Sequence, residues 1–464
     1  MSASSRTLIE NGVIVTAERS IRADILIVGE RIVEIAPGLS GSTADRVLDA
    51  SGLLVLPGGI DPHVHLSRRP TLPHAAREGD DFLTGSWGAL AGGVTTVGEI
   101  ASPEEGEDVI DTIARVEEEV WEKSLVDVFV HPVLGSTTHR IDQIAMLPDR
   151  GQPSLKLFLM DPALANDPIG LKQAVRQAAD ANVCVLFHCE SLDELVIARN
   201  ALKQQGKSSL HFLPESRPAI AEVRATEHAI ALCRETGATG YIVHISCAEA
   251  LRRCTEARSE GLPIHTETRP EFLYLAADRH RGEDAKLHVI IPPLREEADR
   301  DALWSGIANG SVDLVATDDA SFWSKAQKLA APDSFEELRM GISGLQLLRP
   351  MLFSEGVLEG RITVERFVEI TSTAAARIFG LYPRKGAIAV GADADLVLWD
   401  PEETRRVSSV DLFSRTGFTI YEGWDVTGWP QMTIRRGDVV YEGGEIRANA
   451  GSGVVVPRNG AVSP

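Results

Sequence analysis

Between residues 59 and 318 the chain alternates strand-length apolar runs with helix-length segments, and few folds accommodate that rhythm. The strand-like runs are 59–65, 94–100, 126–134, 154–160, 183–188, 240–246, 263–267 and 312–318. Helical patterns lie between them at 80–91, 108–123, 169–181, 219–236, 248–260 and 298–308. Strand followed by helix, repeated, predicts a parallel sheet. Near-continuous apolar strands such as Val183-Cys184-Val185-Leu186-Phe187 fit burial on both faces. Eight repeats over roughly 260 residues is the size of a (β/α)8 TIM barrel. A doubly wound open sheet is the competing arrangement, but no Gly-X-Gly-X-X-Gly follows the early strands.

The two ends of the chain read differently. Residues 7–56 hold short β-rich stretches, with turns at Asn11-Gly12 and Gly29-Glu30. Residues 386–400 read as two short strands around a Gly-Ala-Asp turn, 431–447 as a hairpin, and 448–464 as a loose arm. The expected organisation is an α/β fold with the barrel over 57–382. A small β-sandwich domain is built from both ends, 1–56 and 383–464.

Composition narrows the partners. A net charge of -21 argues against nucleic acid or an anionic membrane surface. Acidic runs such as Glu117-Glu118-Glu119 and Glu296-Glu297 are expected on solvated helix faces. Five cysteines without a Cys-X-X-Cys pair predict no disulfide framework and fit a reducing compartment. No apolar run reaches membrane-span length, and the first residues lack the apolar core of a signal peptide, so a cytoplasmic protein is expected.

The chemistry concentrates at the strand ends, where this barrel class places active residues. Gly58-Gly59-Ile60-Asp61-Pro62-His63-Val64-His65 puts two imidazoles on one face of an extended segment, since residues two apart share a face. Asp61 is positioned to anchor the strand or to orient an imidazole. Lys156 lies inside Ser154-Leu155-Lys156-Leu157-Phe158-Leu159-Met160, His188 ends the fifth strand, His244 the sixth and Asp318 the eighth. A single histidine at a strand end is ordinarily a core residue, and Asp318 alone could be a helix cap. Four imidazoles and a carboxylate gathered at one end of a barrel instead match the donors of zinc and related divalent ions. Lys156 is the odd member, because an ammonium among apolar neighbours is costly unless paired or modified.

These residues resemble the amidohydrolase superfamily: His-X-His behind Pro-Gly-Gly-Ile-Asp-Pro, then Lys156, His188, His244 and Asp318 at their spacings. The resemblance narrows to the hydantoinase and dihydropyrimidinase group. It does so through Asp81-Phe82-Leu83-Thr84-Gly85, Ala91-Gly92-Gly93-Val94-Thr95-Thr96, Arg217-Pro218, Pro292-Pro293-Leu294-Arg295 and the closing stretch from Tyr421-Glu422-Gly423-Trp424-Asp425 to Pro430. The resemblance implies two divalent metal ions, zinc by expectation, held by His63, His65, Lys156, His188, His244 and Asp318. A carbamylated Lys156 would bridge them. It also implies a homo-oligomer, tetramer or dimer, acting on a small cyclic amide.

The departures fall in the substrate pocket. The tyrosine that similar proteins carry five residues after the lysine is here Asp161, which donates no hydrogen bond when ionised. The serine before Pro-Pro-Leu-Arg is Ile291, and the asparagine of a substrate loop is Met340. Both positions are expected to meet substrate through the backbone. Asp319 stands where a histidine follows the catalytic Asp. The 67–80 loop looks long and carries Arg68, Arg69, His74 and Arg77; Ser67 replaces the arginine of the dihydroorotase pattern. Three of those cations could hold an acidic substituent, although solvation is the ordinary role for Arg68, Arg69 and Arg77. The implied reaction is hydrolysis of a hydantoin or dihydropyrimidine ring by a metal-bridging hydroxide, with Asp318 as general acid and base. The alternatives are an allantoinase-like, lactam or cyclic imide hydrolase with the same metal set, and a metal-free scaffold.

Overall fold

The computed structural model describes residues 5–39, 44–68, 79–135 and 140–459. Each of the eight expected strand regions contains a strand: Gly59–Val64, Val94–Ala101, Asp127–Pro132, Ser154–Phe158, Cys184–His188, Gly240–Ile242, Ile264–Thr268 and Leu314–Val315. Every pairing among them is parallel. The first three form one sheet and the last five another, each in sequence order. Two isolated parallel bridges link the sheets, Val133 with Lys156 and Val64 with Asp319. Leu134 N–H donates to the Lys156 carbonyl at 3.0 Å, and His65 N–H to the Asp319 carbonyl at 2.9 Å.

Local chemistry sets the helix boundaries. Asp81 and Asp108 accept the free N–H groups at the starts of Phe82–Ala91 and Val109–Lys123, as caps do. Gly237 and Gly310, both left-handed, end Ala219–Thr236 and Glu297–Asn309. Glu119 is an exception to the solvated acidic run. It is buried, with Arg115 at 3.0 Å and Arg68 at 3.2 Å.

Strands from both chain ends share one sheet, in which Leu54–Pro57 pairs with Leu396–Arg406 and with Val13–Val15. A second, four-stranded sheet joins Arg31–Ala36, Asp24–Val28, Arg6–Glu10 and Arg46–Asp49. One apolar cluster takes residues from both sheets, among them Ile9, Ile25, Ile27, Val55, Leu398 and Ile434.

Two expectations about the C-terminal part fail. Residues 387–390 form no strand; the chain turns through left-handed Gly386 and Gly391, too tightly for an extended run. The 448–459 stretch is no loose arm. Val454 and Val456 hydrogen-bond along Val128, and the buried Arg458 donates to Val130, Gln152 and Ser154 while stacking on Phe129. Residues 460–464 lie outside the described residues. All five cysteines are free and buried. No helix among the described residues is long and apolar enough to cross a membrane.

Candidate metal centre

His63 and His65 leave the first strand on the same side, as their spacing requires, and meet Asp318 from beyond the eighth. His65 Nε2 is 2.8 Å and His63 Nε2 3.2 Å from Asp318 Oδ1. All three are buried, and one donor atom from each lies within 4.8 Å of the others. His188 and His244 form the adjoining group. His188 Nδ1 is 2.9 Å from His244 Nε2, and the His244 ring centroid is 5.6 Å from that of His63. Asp318 and His244 sit at φ +48° and +38°. Both are non-glycine residues in the left-handed region, a cost that clusters at functional sites.

Carboxylates behind the imidazoles fix which nitrogen faces inward. Glu267 Oε1 takes His63 Nδ1 at 2.7 Å, and Glu190 Oε2 takes His188 Nε2 at 2.7 Å. Glu267 also accepts from the Tyr241 hydroxyl at 2.7 Å and His244 N–H at 3.0 Å. Glu190 is in turn gripped by Arg217 at 2.9 and 2.5 Å. Burial opposes its charge, but Arg217 and His188 outweigh burial and hold its carboxyl down to about 2. Such outer partners orient metal-binding imidazoles. Asp61 serves the strand instead. It accepts from His63 N–H at 3.1 Å and the Thr317 hydroxyl at 2.6 Å, tying the first strand end to the last.

The charge states suit a cation. Burial, then the neighbouring His188 and Lys156, push the His244 imidazole well below its usual range. Burial also lowers His188 against the pull of Glu190. Both rings are therefore neutral donors near pH 7. His63 moves the other way, because Glu267 and Asp318 outweigh the effect of burial. Asp318 stays ionised, since His63 and Arg269 outweigh burial. Lys156 is fully buried, and its charge presses His63, His188 and His244 toward their neutral forms. The donor set and its geometry fit a divalent-cation centre.

An open cavity of about 90 Å³ reaches this centre. His63, His65, His188, His244, Asp318 and Arg269 form its polar side. Phe158, Met160, Ile290, Ile291, Phe322 and Met340 form most of the rest. Ile291 and Met340 stand on the wall. Asp161 does not line it. Its carboxylate accepts from Ala163 N–H at 2.9 Å and caps the short Pro162–Ala165 helix, the alternative use that Asp finds in front of proline. Arg68 is paired with Glu119, away from the cavity, and Arg69, His74 and Arg77 lie outside the described residues. Asp319 holds a loop: its Oδ2 accepts from Gly344 N–H at 2.7 Å and Leu345 N–H at 3.1 Å.

Arg269 and Glu267 are site residues that the sequence reasoning missed. Arg269 Nη1 donates to Asp318 Oδ2 at 2.8 Å, and its Nε to Glu271 at 3.0 Å. Both follow from the strand-end rule, because Glu267 lies in the seventh strand and Arg269 just past it. The histidine of that strand, His265, lies near its start, so no imidazole at the strand end drew attention to them.

A family model described as "Amidohydrolase family" matches residues 54–440. The chain belongs to the amidohydrolase family. The D-hydantoinase of Ralstonia pickettii is 34% identical over 442 residues, 94% of this chain and 95% of that one. The D-hydantoinase of Geobacillus stearothermophilus is 35% identical over 461 residues, 97% and 96% of the two chains. The crystal structure of a dihydropyrimidinase from Brevibacillus agri superposes with a TM-score of 0.93 at 33% identity, covering 99% of this chain and all of the other.

Proposed function

We propose that this amidohydrolase is a metal-dependent hydrolase that opens a small cyclic amide of the hydantoin or dihydropyrimidine type. The observation that carries the reading is the meeting of His63, His65 and Asp318 beside the His188–His244 pair, on one cavity at the strand ends. The named activity of the full-length relatives supports it. Behind the site, the eight strands are read as a (β/α)8 barrel over 57–382, closed through the two bridges. Segments 1–56 and 383–464 are read as one β-sandwich domain.

The metal set is assigned to His63, His65, Lys156, His188, His244 and Asp318, with Lys156 as its carbamate. That modification turns a buried cation that faces imidazoles into an anionic ligand. Two bound divalent ions, zinc by the preference of such N/O donors, supply Lewis acidity toward the amide carbonyl and toward water. The chain's own residues do the rest. Glu267 and Glu190 hold the imidazoles in one tautomer. Asp318, fixed by Arg269 through Oδ2, takes the proton of the attacking water and returns it to the leaving ring nitrogen. Main chain at Ile291 and Met340 grips the ring amide, and the apolar wall accepts its substituent. No tyrosine stands among the described residues of the wall, so no phenol polarises the carbonyl.

The test is ring opening of hydantoin and dihydrouracil by metal-loaded and chelator-treated protein, side by side. Turnover that chelation abolishes is expected. Metal binding without turnover of either ring would overturn the substrate reading and direct the search to ureides, lactams and cyclic imides. Light scattering of the same preparation reads whether the assembly is the expected dimer or tetramer.

A further inference from the structure

Lys328 is buried to 0% exposure in the short Lys325–Leu329 helix, and no carboxylate pairs with it among the described residues. Its ammonium serves the main chain instead. Nζ donates to the Gly341 carbonyl at 2.6 Å and lies 3.5 Å from the Val289 carbonyl, 5.3 Å from the centre of the Phe418 ring. Those carbonyls belong to two segments far apart in sequence. Gly341 N–H also donates to Val289 at 3.0 Å, so amide and amine lace the segments together. Gly341 is left-handed at φ +99°, and a Cβ there would lie 2.0 Å from the Ala320 carbonyl, which leaves the segment little room to shift. Ile290, Ile291, Met340 and Gly341 together form one wall of the cavity.

Burying an amine without a counter-charge is expensive, and an apolar side chain would fill the same space at lower cost. Burial accordingly pushes the Lys328 amine down to about 7. Costs of this kind persist where function needs them. We propose that Lys328 is a positioning residue for substrate, fixing the 289–291 and 340–341 main chain that grips the ring. This rests on the cyclic-amide reading above. Arg269 makes a contrasting case: its two carboxylate partners saturate its charge, and it acts on Asp318 rather than on the wall.

The experiment compares metal-loaded full-length protein with Lys328→Met and Lys328→Gln. An interaction made equally in ground and transition states raises KM and spares kcat; the Met variant is expected to raise KM for dihydrouracil or hydantoin about tenfold with kcat within about threefold. Gln, which keeps a donor, recovers part of that loss. Bound metal stays unchanged, and amide exchange quickens in peptides spanning 289–294 and 339–345. Unchanged KM, unchanged exchange, or a fall in kcat with loss of metal would each overturn the proposal. If the unmodified protein opens neither ring, the hydantoin and dihydropyrimidine reading falls, while the exchange comparison still decides whether Lys328 pins the two segments.

Discussion

At the N-terminal end of the strands, Lys385 Nζ lies 2.7 Å from Asp127, 2.6 Å from Asp395 and 3.3 Å from Asp393, and Arg436 adds a second cation 3.4 Å from Asp127. At the C-terminal end, His188 and His244 turn ring nitrogens toward each other at 2.9 Å, and a buried lysine presses on three imidazoles. Both clusters are withdrawn from water. In the first, opposite charges meet and hydrogen-bond, so the chain supplies every partner and the cluster joins the strands to the C-terminal segment. In the second, neutral ring nitrogens converge on one another beside the Asp318–Arg269 and His63–Glu267 pairs. Ring nitrogens that converge in this way are the donors a bound divalent cation would take. Buried charge paired within the chain thus marks architecture, and ring nitrogens gathered on one cavity mark a site.

Breaking each cluster by one lysine separates the two roles most sharply. Lys156→Ala is expected to lower turnover by more than about 10³-fold, beyond the cost of one lost hydrogen-bond donor, and to lower metal content. Full activity and metal content in that variant would sink the bridging assignment. Lys385→Met removes the buried cation that Asp127, Asp393 and Asp395 share. It is expected to cost about 3–5 kcal/mol in denaturant unfolding while the folded fraction keeps its kcat. A smaller effect is expected one layer out. Glu267→Gln should weaken metal binding by roughly 10–100-fold, read by competition with a chelator.

The pH dependence of stability sharpens the comparison further. Burial would lower the Lys385 amine, but Asp395, Asp127 and Asp393 outweigh it and raise it. Its contribution is therefore present below the unfolded value of about 10.4 and lost as pH rises through the folded one. Lys328 is depressed to about 7 by burial, then by Arg269. Between that pH and about 10.4 the unfolded chain binds more protons, so this residue makes stability rise with pH. The Tm of Lys328→Met minus that of the unmodified protein should fall across that window; a flat difference would show that the amine titrates normally. The smallest change is expected at Asp161. Asp161→Ala removes a helix cap worth about 1 kcal/mol and should leave kcat/KM within about twofold, because the carboxylate faces Ala163 rather than the cavity.

The parts legible in the sequence are those governed by local repetition. Alternation of strand and helix gave eight parallel strands, and the two-residue period of an extended chain put His63 and His65 on one side. A strand-end rule then selected His188, His244 and Asp318, each from its own element. Residues whose work depends on a distant partner were illegible. Glu267 meets His63 across 204 positions, Arg269 meets Asp318 across 49, and Lys328 matters through carbonyls 39 and 13 residues away. Asp161 shows the reverse error, since sequence position alone assigned it to substrate while a local N–H had the prior claim on its carboxylate.

Residue type and period thus determined which side chains leave the strand ends together, because the geometry of a strand is the same wherever it occurs. Tertiary structure alone decided which carboxylate stands behind which imidazole, which lysine meets counter-charge, and that 448–459 packs along the Asp127–Pro132 strand. Those choices depend on distances between segments remote in the chain, and a local pattern carries no information about them.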